Sequence, residues 1–243
     1  MVVIIPTYDE RENLEPITGR VRAAVPDADI LVVDDNSPDG TGDLADKLAA
    51  ADQHIHVLHR KAKSGLGAAY LAGFSWALER RYEVITQMDA DGSHPPERLP
   101  ALVEGLAEAD VVLGSRYVRG GKVVNWPRSR EILSRGGNTY VRLMLGLGIR
   151  DATGGFRVYR SSAIQKIDTD GIKSTGYCFQ IDLAVRAVHA GLQLAEKPIA
   201  FVERTRGTSK MSNAIIREAF WRVTQWGITS RLQSLRPSVR RRR

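Results

Sequence analysis

The chain has 243 residues, 43% hydrophobic and 26% charged, with 35 Lys and Arg against 28 Asp and Glu and a formal net charge of +7. That length and composition support one substantial core, as one large domain or a domain with an appendage, and exclude an intrinsically disordered chain. The single cysteine, Cys178, excludes an intrachain disulfide and four-thiolate zinc, and points to a reducing compartment.

The first apolar run, Val2 to Ile5, stops at Pro6 with no basic segment before it, so a secretory leader is not expected. It reads as a strand, followed by a helix near Glu12 to Ala24. Further strands are expected at Ile30 to Val33, His56 to Leu58, Val84 to Met88 and Val111 to Leu113. All but His56 to Leu58 are nearly unbroken Val, Ile and Leu, the pattern of strands covered on both faces. Helices are expected at Gly42 to Ala51, with Thr41 as cap, at Gly67 to Arg81 and at Pro96 to Glu108. This alternation predicts right-handed crossovers and an open, mostly parallel α/β sheet with helices on both faces.

After Gly114 a long loop holds Gly120, Gly121 and Pro127, and a helix follows near Arg130 to Leu145. Asp151 to Arg160 and Leu194 to Phe201 read as later strands, with a helix near Phe179 to Ala190 between them. The main domain is expected over 1–211. From 212 to 235 an amphipathic helix carries Ile215, Ile216, Ala219, Phe220, Val223 and Trp226 on one face, and it suits either packing on the domain or an anionic bilayer surface. Residues 236–243 read as a disordered basic tail, in which Arg240 to Arg243 hold four of the seven net charges. No apolar run reaches the roughly eighteen residues of a membrane span.

In open parallel sheets ligands sit beyond the carboxyl ends of strands. Here strand one ends in Pro6-Thr7-Tyr8-Asp9-Glu10, strand two in Asp34-Asp35-Asn36-Ser37-Pro38-Asp39-Gly40, strand four in Asp89-Ala90-Asp91 and strand five in Gly114-Ser115-Arg116. If the chain stays extended through Ala90, period-2 geometry puts both carboxylates on one side, where a divalent cation could bridge them. The alternative is that they punctuate a turn and cap the helix near Pro96. Acidic groups after strand two suit ribose hydroxyls or a base edge, and Arg116 would offset phosphate charge. No Walker loop, complete dinucleotide fingerprint, serine elbow or histidine metal spacing occurs.

The segments PTYDERENL, VVDDNSPDGT, MDADGSHPPE, GSRY, SRGGN, TGGFRVYR, GYCFQID and FVERTRGTSK, in this order, resemble the dolichol- and polyprenol-phosphate mannose synthases among the family 2 inverting glycosyltransferases. The resemblance implies a GT-A-type nucleotide-sugar-binding fold, GDP-mannose as donor, a polyprenyl phosphate as acceptor, and Mg or Mn as cofactor. It implies nucleotide contacts at Pro6, Tyr8, Glu10, Val33 and Asp35, and metal and diphosphate positions at Asp89, Ala90 and Asp91. It places Arg116, Arg204 and Lys210 around the phosphates, with Arg116, Arg130 and Ser134 at the acceptor phosphate. Asp89, Asp91 and Arg116 would then carry catalysis. Ser93 stands where relatives often have Gln, and Gly92 where Leu is frequent. The expected setting is cytoplasmic, at the cytoplasmic face of a membrane, either peripherally or through a membrane-embedded partner, with no nucleic acid involved. The alternative within the class is another sugar nucleotide, such as UDP-glucose, as donor. A non-enzymatic basic module would leave the carboxylates at the strand ends unexplained.

Overall fold

The computed structural model describes residues 1–169, 171–172, 177–204 and 220–229. Its first half alternates strand and helix: β1 (Val2–Thr7), α1 (Arg11–Ala24), β2 (Asp29–Asp34), α2 (Thr41–Ala51), β3 (Ile55–His59), α3 (Leu66–Glu79), β4 (Val84–Gln87), α4 (Leu99–Glu104) and β5 (Val111–Ser115). The second half holds β6 (Lys122–Val124), α5 (Arg128–Leu145), β7 (Arg157–Arg160), α6 (Ser161–Lys166), α7 (Tyr177–His189), β8 (Leu194–Pro198) and β9 (Ala200–Val202), and residues 220–229 are helical.

Seven strands form one sheet in the order β3-β2-β1-β4-β7-β5-β8, while β6 and β9 pair separately. All neighbours in the large sheet run parallel except β7, which is antiparallel to both β4 and β5. The expected open, mostly parallel sheet with helices on both faces is therefore the observed one. Alternation along each strand divides the core in two. Val2, Ile4, Leu31 and Val33 pack with Tyr70 and Phe74 of α3 and Phe179 of α7. Val3, Ile5, Ile30 and Val32 pack with Leu14, Ile17 and Val21 of α1 and Leu99 and Leu102 of α4 on the other face.

Four local expectations change. The segment read as a strand over Asp151 to Arg160 is strand only from Arg157, because 151–156 form a loop. The stretch Leu194 to Phe201 breaks at Ile199 into β8 and β9, where the chain leaves the large sheet for the small one. Pro96 to Glu108 is not one helix: 3-10 turns flank a short α4. Thr41 is the first helical residue of α2 rather than its cap, since Gly40 occupies the cap position at φ +83. The Thr41 side chain instead accepts from the Glu10 amide at 3.0 Å, tying the start of α1 to that of α2.

The 220–229 helix packs on α5. Phe220 stacks on Tyr140 at 4.6 Å, the Tyr140 and Thr224 hydroxyls lie 2.6 Å apart, and Val223 is buried. Ile215, Ile216, Ala219 and the tail over 236–243 lie outside the described residues, as does most of the expected 212–235 segment. Among the described residues no helix is long and apolar enough to cross a membrane.

Candidate active site

The parallel strands deliver their carboxyl ends to one edge, and a cavity of about 370 Å³ opens there. From β1 come Pro6, Thr7 and Tyr8, with Glu10 beyond; Asp35 follows β2; Asp89, Ala90 and Asp91 follow β4; Arg116 follows β5. Because β7 alone runs antiparallel, its start faces this edge, with Arg157 paired to both Gln87 and Leu113. The loop before it therefore adds Thr153, Gly154 and Gly155 to the wall. Arg130 enters from the first turn of α5, and Phe201, Glu203 and Arg204 from the end of β9. Two backbone bonds fix that last segment, Glu203 N–H to Val124 O at 3.0 Å and Val202 N–H to Ser93 O at 3.3 Å.

Of the residues singled out from sequence, Val33 lies buried in the core face of β2 and does not reach the cavity. Ser134 also stays outside the wall, accepting from the Tyr117 hydroxyl at 2.6 Å next to Arg116. Lys210 lies outside the described residues.

The loop after β4 is held from several sides. Asp89 Oδ1 accepts from the Tyr70 hydroxyl at 2.9 Å, and the Asp89 amide donates to His94 Nδ1 at 3.0 Å. The second bond makes Nδ1 an acceptor, so the ring proton sits on Nε2, which is 3.9 Å from Asp89 Oδ2. His94 is buried, with its ring stacked on Phe156 at 5.2 Å. Burial together with the negative charge of Asp89 pushes the Tyr70 phenol well above its ordinary range, so it remains a proton donor. At Asp91, Oδ1 accepts from the Ser93 amide at 3.0 Å, and Oδ2 meets Arg204 Nη2 at 3.0 Å. Burial raises the pKa of that carboxyl, but hydrogen bonding from Ser93 and the positive charge of Arg204 outweigh it, so Asp91 is held below the usual range. Gly92, between Asp91 and Ser93, sits at φ +75, where a side chain would be strained.

The basic residues are anchored as well. Arg116 forms a fork with Asp151, through Nε at 2.7 Å and Nη2 at 2.5 Å, and also donates to Thr153 Oγ1 at 2.8 Å. Asp151 is fully buried. Burial opposes its charge, yet the Arg116 guanidinium and its hydrogen bonds hold the carboxyl below the usual range. Arg116 thus faces the cavity as half of a buried pair. Arg130 Nη1 donates to Glu203 Oε1 at 2.6 Å, and its guanidinium lies 4.1 Å from the Trp126 ring centroid.

Nearer β1, Asp34 and Asp35 divide their work. Asp34 accepts from the Thr7 hydroxyl at 3.0 Å and the Ser37 hydroxyl at 2.6 Å, closing the turn. Asp35 reaches the cavity, where it pairs with Arg60 at 2.5 Å and accepts from the Ser64 amide at 3.3 Å. Lys63 sits 3.7 Å above the Tyr8 ring.

Sequence reasoning missed Tyr70, Lys63, His94, Gly155, Gln180 and Glu203. His94 carried a usable signal in its place after Asp91-Gly92-Ser93, but it reads as part of a turn. Tyr70 lies within a helix and carried none, while Gln180 lay inside the segment GYCFQID with no role attached to it. Asp182, the other carboxylate near the site in sequence, is held by Arg186 Nε at 2.7 Å and does not line the cavity.

Two carboxylates on one cavity wall fit a hard divalent cation that takes its remaining oxygens from a diphosphate and water. Among the described residues no cluster of three or more His, Cys, Asp or Glu offers a closed metal cage.

Residues 2–168 match the profile described as Glycosyl transferase family 2. Over 241 residues the chain is 57% identical to the polyprenol monophosphomannose synthase of Mycolicibacterium smegmatis, covering 98% of this chain and 91% of that one. It is 55% identical to the undecaprenyl-phosphate mannosyltransferase of Micrococcus luteus, covering 97% of each. A solved mannosyltransferase from Pyrobaculum calidifontis, in complex with GDP-Man and Mn2+, superposes with a TM-score of 0.61 at 16% identity, covering 96% of this chain and 64% of that chain. The glucosyl-3-phosphoglycerate synthase of Mycobacterium tuberculosis, in complex with Mn2+, UDP-Glc and phosphoglyceric acid, gives 0.64 at 17% identity, covering 93% of this chain and 79% of that chain. The sheet with its one reversed strand, the superpositions and the family profile agree: this chain is an enzyme with a GT-A-type fold and belongs to glycosyl transferase family 2.

Proposed function

We propose that the enzyme transfers mannose from GDP-mannose to a polyprenyl phosphate with inversion, giving polyprenyl-phosphate mannose and GDP. The observation that carries this reading is a single cavity in which the Asp89 and Asp91 carboxylates face Arg116, Arg130 and Arg204, a charge pattern suited to two anionic reactants. The names of the relatives from M. smegmatis and M. luteus support the lipid phosphate acceptor and mannosyl transfer, and the P. calidifontis complex supports GDP-mannose and a divalent cation.

Asp89 and Asp91 would hold Mg or Mn, which when bound supplies Lewis-acid neutralisation of the diphosphate charge. Tyr70 and His94 keep Asp89 turned toward the cavity. In the reaction an acceptor phosphate oxygen forms a bond to the anomeric carbon while the bond from that carbon to the diphosphate breaks, and GDP leaves on the opposite face. A phosphate monoester, with a second pKa of about 6, is mostly dianionic at neutral pH and needs no strong base. Asp182, outside the cavity wall and paired to Arg186, is therefore a packing group in this reading. Positioning falls to Arg130, with Arg116 held in place by Asp151.

Arg130→Ala should raise the acceptor concentration needed for half-maximal rate by about 10-fold or more, the worth of a charge-assisted hydrogen bond, and change the donor requirement little. An unchanged acceptor response would remove Arg130 from this role. The reaction itself is checked by incubating the protein with labelled GDP-mannose, Mn2+ and a polyprenyl phosphate. Label should pass into the organic phase, and a parallel UDP-glucose reaction should transfer far less. No transfer of mannose, with an active control enzyme, would overturn the reading.

A lipid acceptor requires a membrane surface, peripherally or through a partner. Supporting it, α5 inserts Arg130 into the cavity wall while Ile132 is 71% and Leu133 53% exposed, and the packed 220–229 helix exposes Trp221 at 64%. Such side chains suit the headgroup boundary of an anionic bilayer.

A further inference from the structure

The side-chain amide of Gln180, in α7, is nearly fully buried, and among the described residues neither Nε2 nor Oε1 has a hydrogen-bond partner. Gln180 is nevertheless among the residues that line the cavity, its amide lying just behind the surface. A buried amide without partners is costly, so an amide kept in such a place calls for a ligand to complete it. Directly beside it is Gly155. A Cβ there would lie 3.5 Å from Gln180 Nε2, 3.5 Å from His94 Cε1 and 3.7 Å from Asp89 Oδ2. The missing side chain leaves space bounded by the amide, the imidazole and the carboxylate.

Sheet order says which part of a nucleotide sugar reaches that space. Across β2-β1-β4-β7 the cavity presents Asp35 and Tyr8 first, then Asp89 and Asp91, then Gly155 of the loop before β7. With the nucleoside at the first pair and the diphosphate at the second, the next group along the ligand is the sugar. The chemistry agrees. A phosphate would take donors only, whereas a sugar hydroxyl both donates and accepts, and an amide offers one group of each kind.

We propose that Gln180 reads the sugar of the donor, its amide hydrogen-bonding hydroxyls of the transferred hexose in the space left by Gly155. This rests on the sugar-nucleotide reading above. It makes Gln180 a specificity-determining residue that touches the substrate without taking part in bond making.

The test is titration of the intact protein, with Mn2+ present and no acceptor, by GDP and by GDP-mannose, comparing wild type with Gln180→Met, which keeps length and loses polarity. GDP affinity should be unchanged, while GDP-mannose affinity should fall by about 10-fold, the loss expected for one or two neutral hydrogen bonds. The melting temperature of the free protein should stay level or rise, because an unpartnered amide has been removed. With deoxymannose nucleotides, the hydroxyl whose loss weakens wild-type binding should cost Q180M nothing further. Gln180→Asn, whose amide falls short by one methylene, gives the same readout should Q180M fail to fold. A GDP-mannose to GDP affinity ratio equal to wild type would overturn the assignment alone. A wild type that binds GDP but no GDP-mannose would overturn the donor reading, and the assignment with it.

Discussion

Asp91→Ala is expected to reduce transfer by at least about two orders of magnitude while leaving the fold intact, the scale seen when a group that stabilises developing charge is removed. The fold should survive because Arg204, which loses this one ion pair, has a side chain 25% exposed to water. Asp91→Asn, which keeps shape and removes charge, should lose as much, since the low pKa of Asp91 means that the carboxylate is the working form at neutral pH. Rates measured across a Mn2+ titration, together with a melting curve for each variant, check both parts. Near-normal turnover with full dependence on added metal would remove Asp91 from the metal site.

Asp151→Ala should have the largest effect on stability. Its carboxylate is fully buried and takes three hydrogen bonds from Arg116, two from the guanidinium and one from the backbone amide. Removing it strands a buried guanidinium, a loss of about 3–5 kcal/mol, which in a chain of this size lowers the melting temperature by roughly 6–20 °C. Replacing both partners together, Asp151→Leu with Arg116→Met, should recover much of that stability and none of the activity. A shift below about 2 °C for Asp151→Ala would mean that the pair contributes little. The pH dependence has a definite sign. The folded pKa of Asp151 is depressed below its unfolded value, so its stabilisation is complete above the unfolded pKa of about 4 and is lost as pH falls through the folded value. Asp151→Asn should therefore flatten the acid limb of a stability-against-pH curve.

The pair also explains how Arg116 can line the cavity without the full cost of an isolated buried cation. Asp151 belongs to the loop before β7, so the antiparallel strand secures the arginine that follows β5. Glu203 stands in a similar relation to Arg130, but between side chains that keep some contact with solvent, 21% and 25% exposed.

Much of this was legible in the residues. Short Val, Ile and Leu runs spaced by amphipathic stretches fix strand identity because both faces of a parallel sheet must be apolar. Polar clusters after such runs then mark the ligand edge, since crossover helices leave the carboxyl ends open. Asp89, Asp91 and Arg116, singled out by their places just after strands, do line the cavity at that edge. The reversed strand could not be read this way. Phe156 to Arg160 carries no mark of its direction, which is settled only by which neighbours hydrogen-bond to it.

That direction is what brings Gly155 to the site, and neither the place of Tyr70 nor the role of Gln180 within its quoted segment could be read locally, because a helix residue reaches the cavity only through the packing of its helix on the sheet. The amino-acid sequence by itself determined the alternation of strand and helix, the apolar sheet and the acidic and basic residues at the strand ends, all of which follow from short-range periodicity and charge. The tertiary structure alone decided which of those charges are pinned in pairs, which carboxylate is braced by a distant tyrosine, and where an amide is left without a partner. Those are properties of neighbours far apart along the chain, set by packing and by the low dielectric around them.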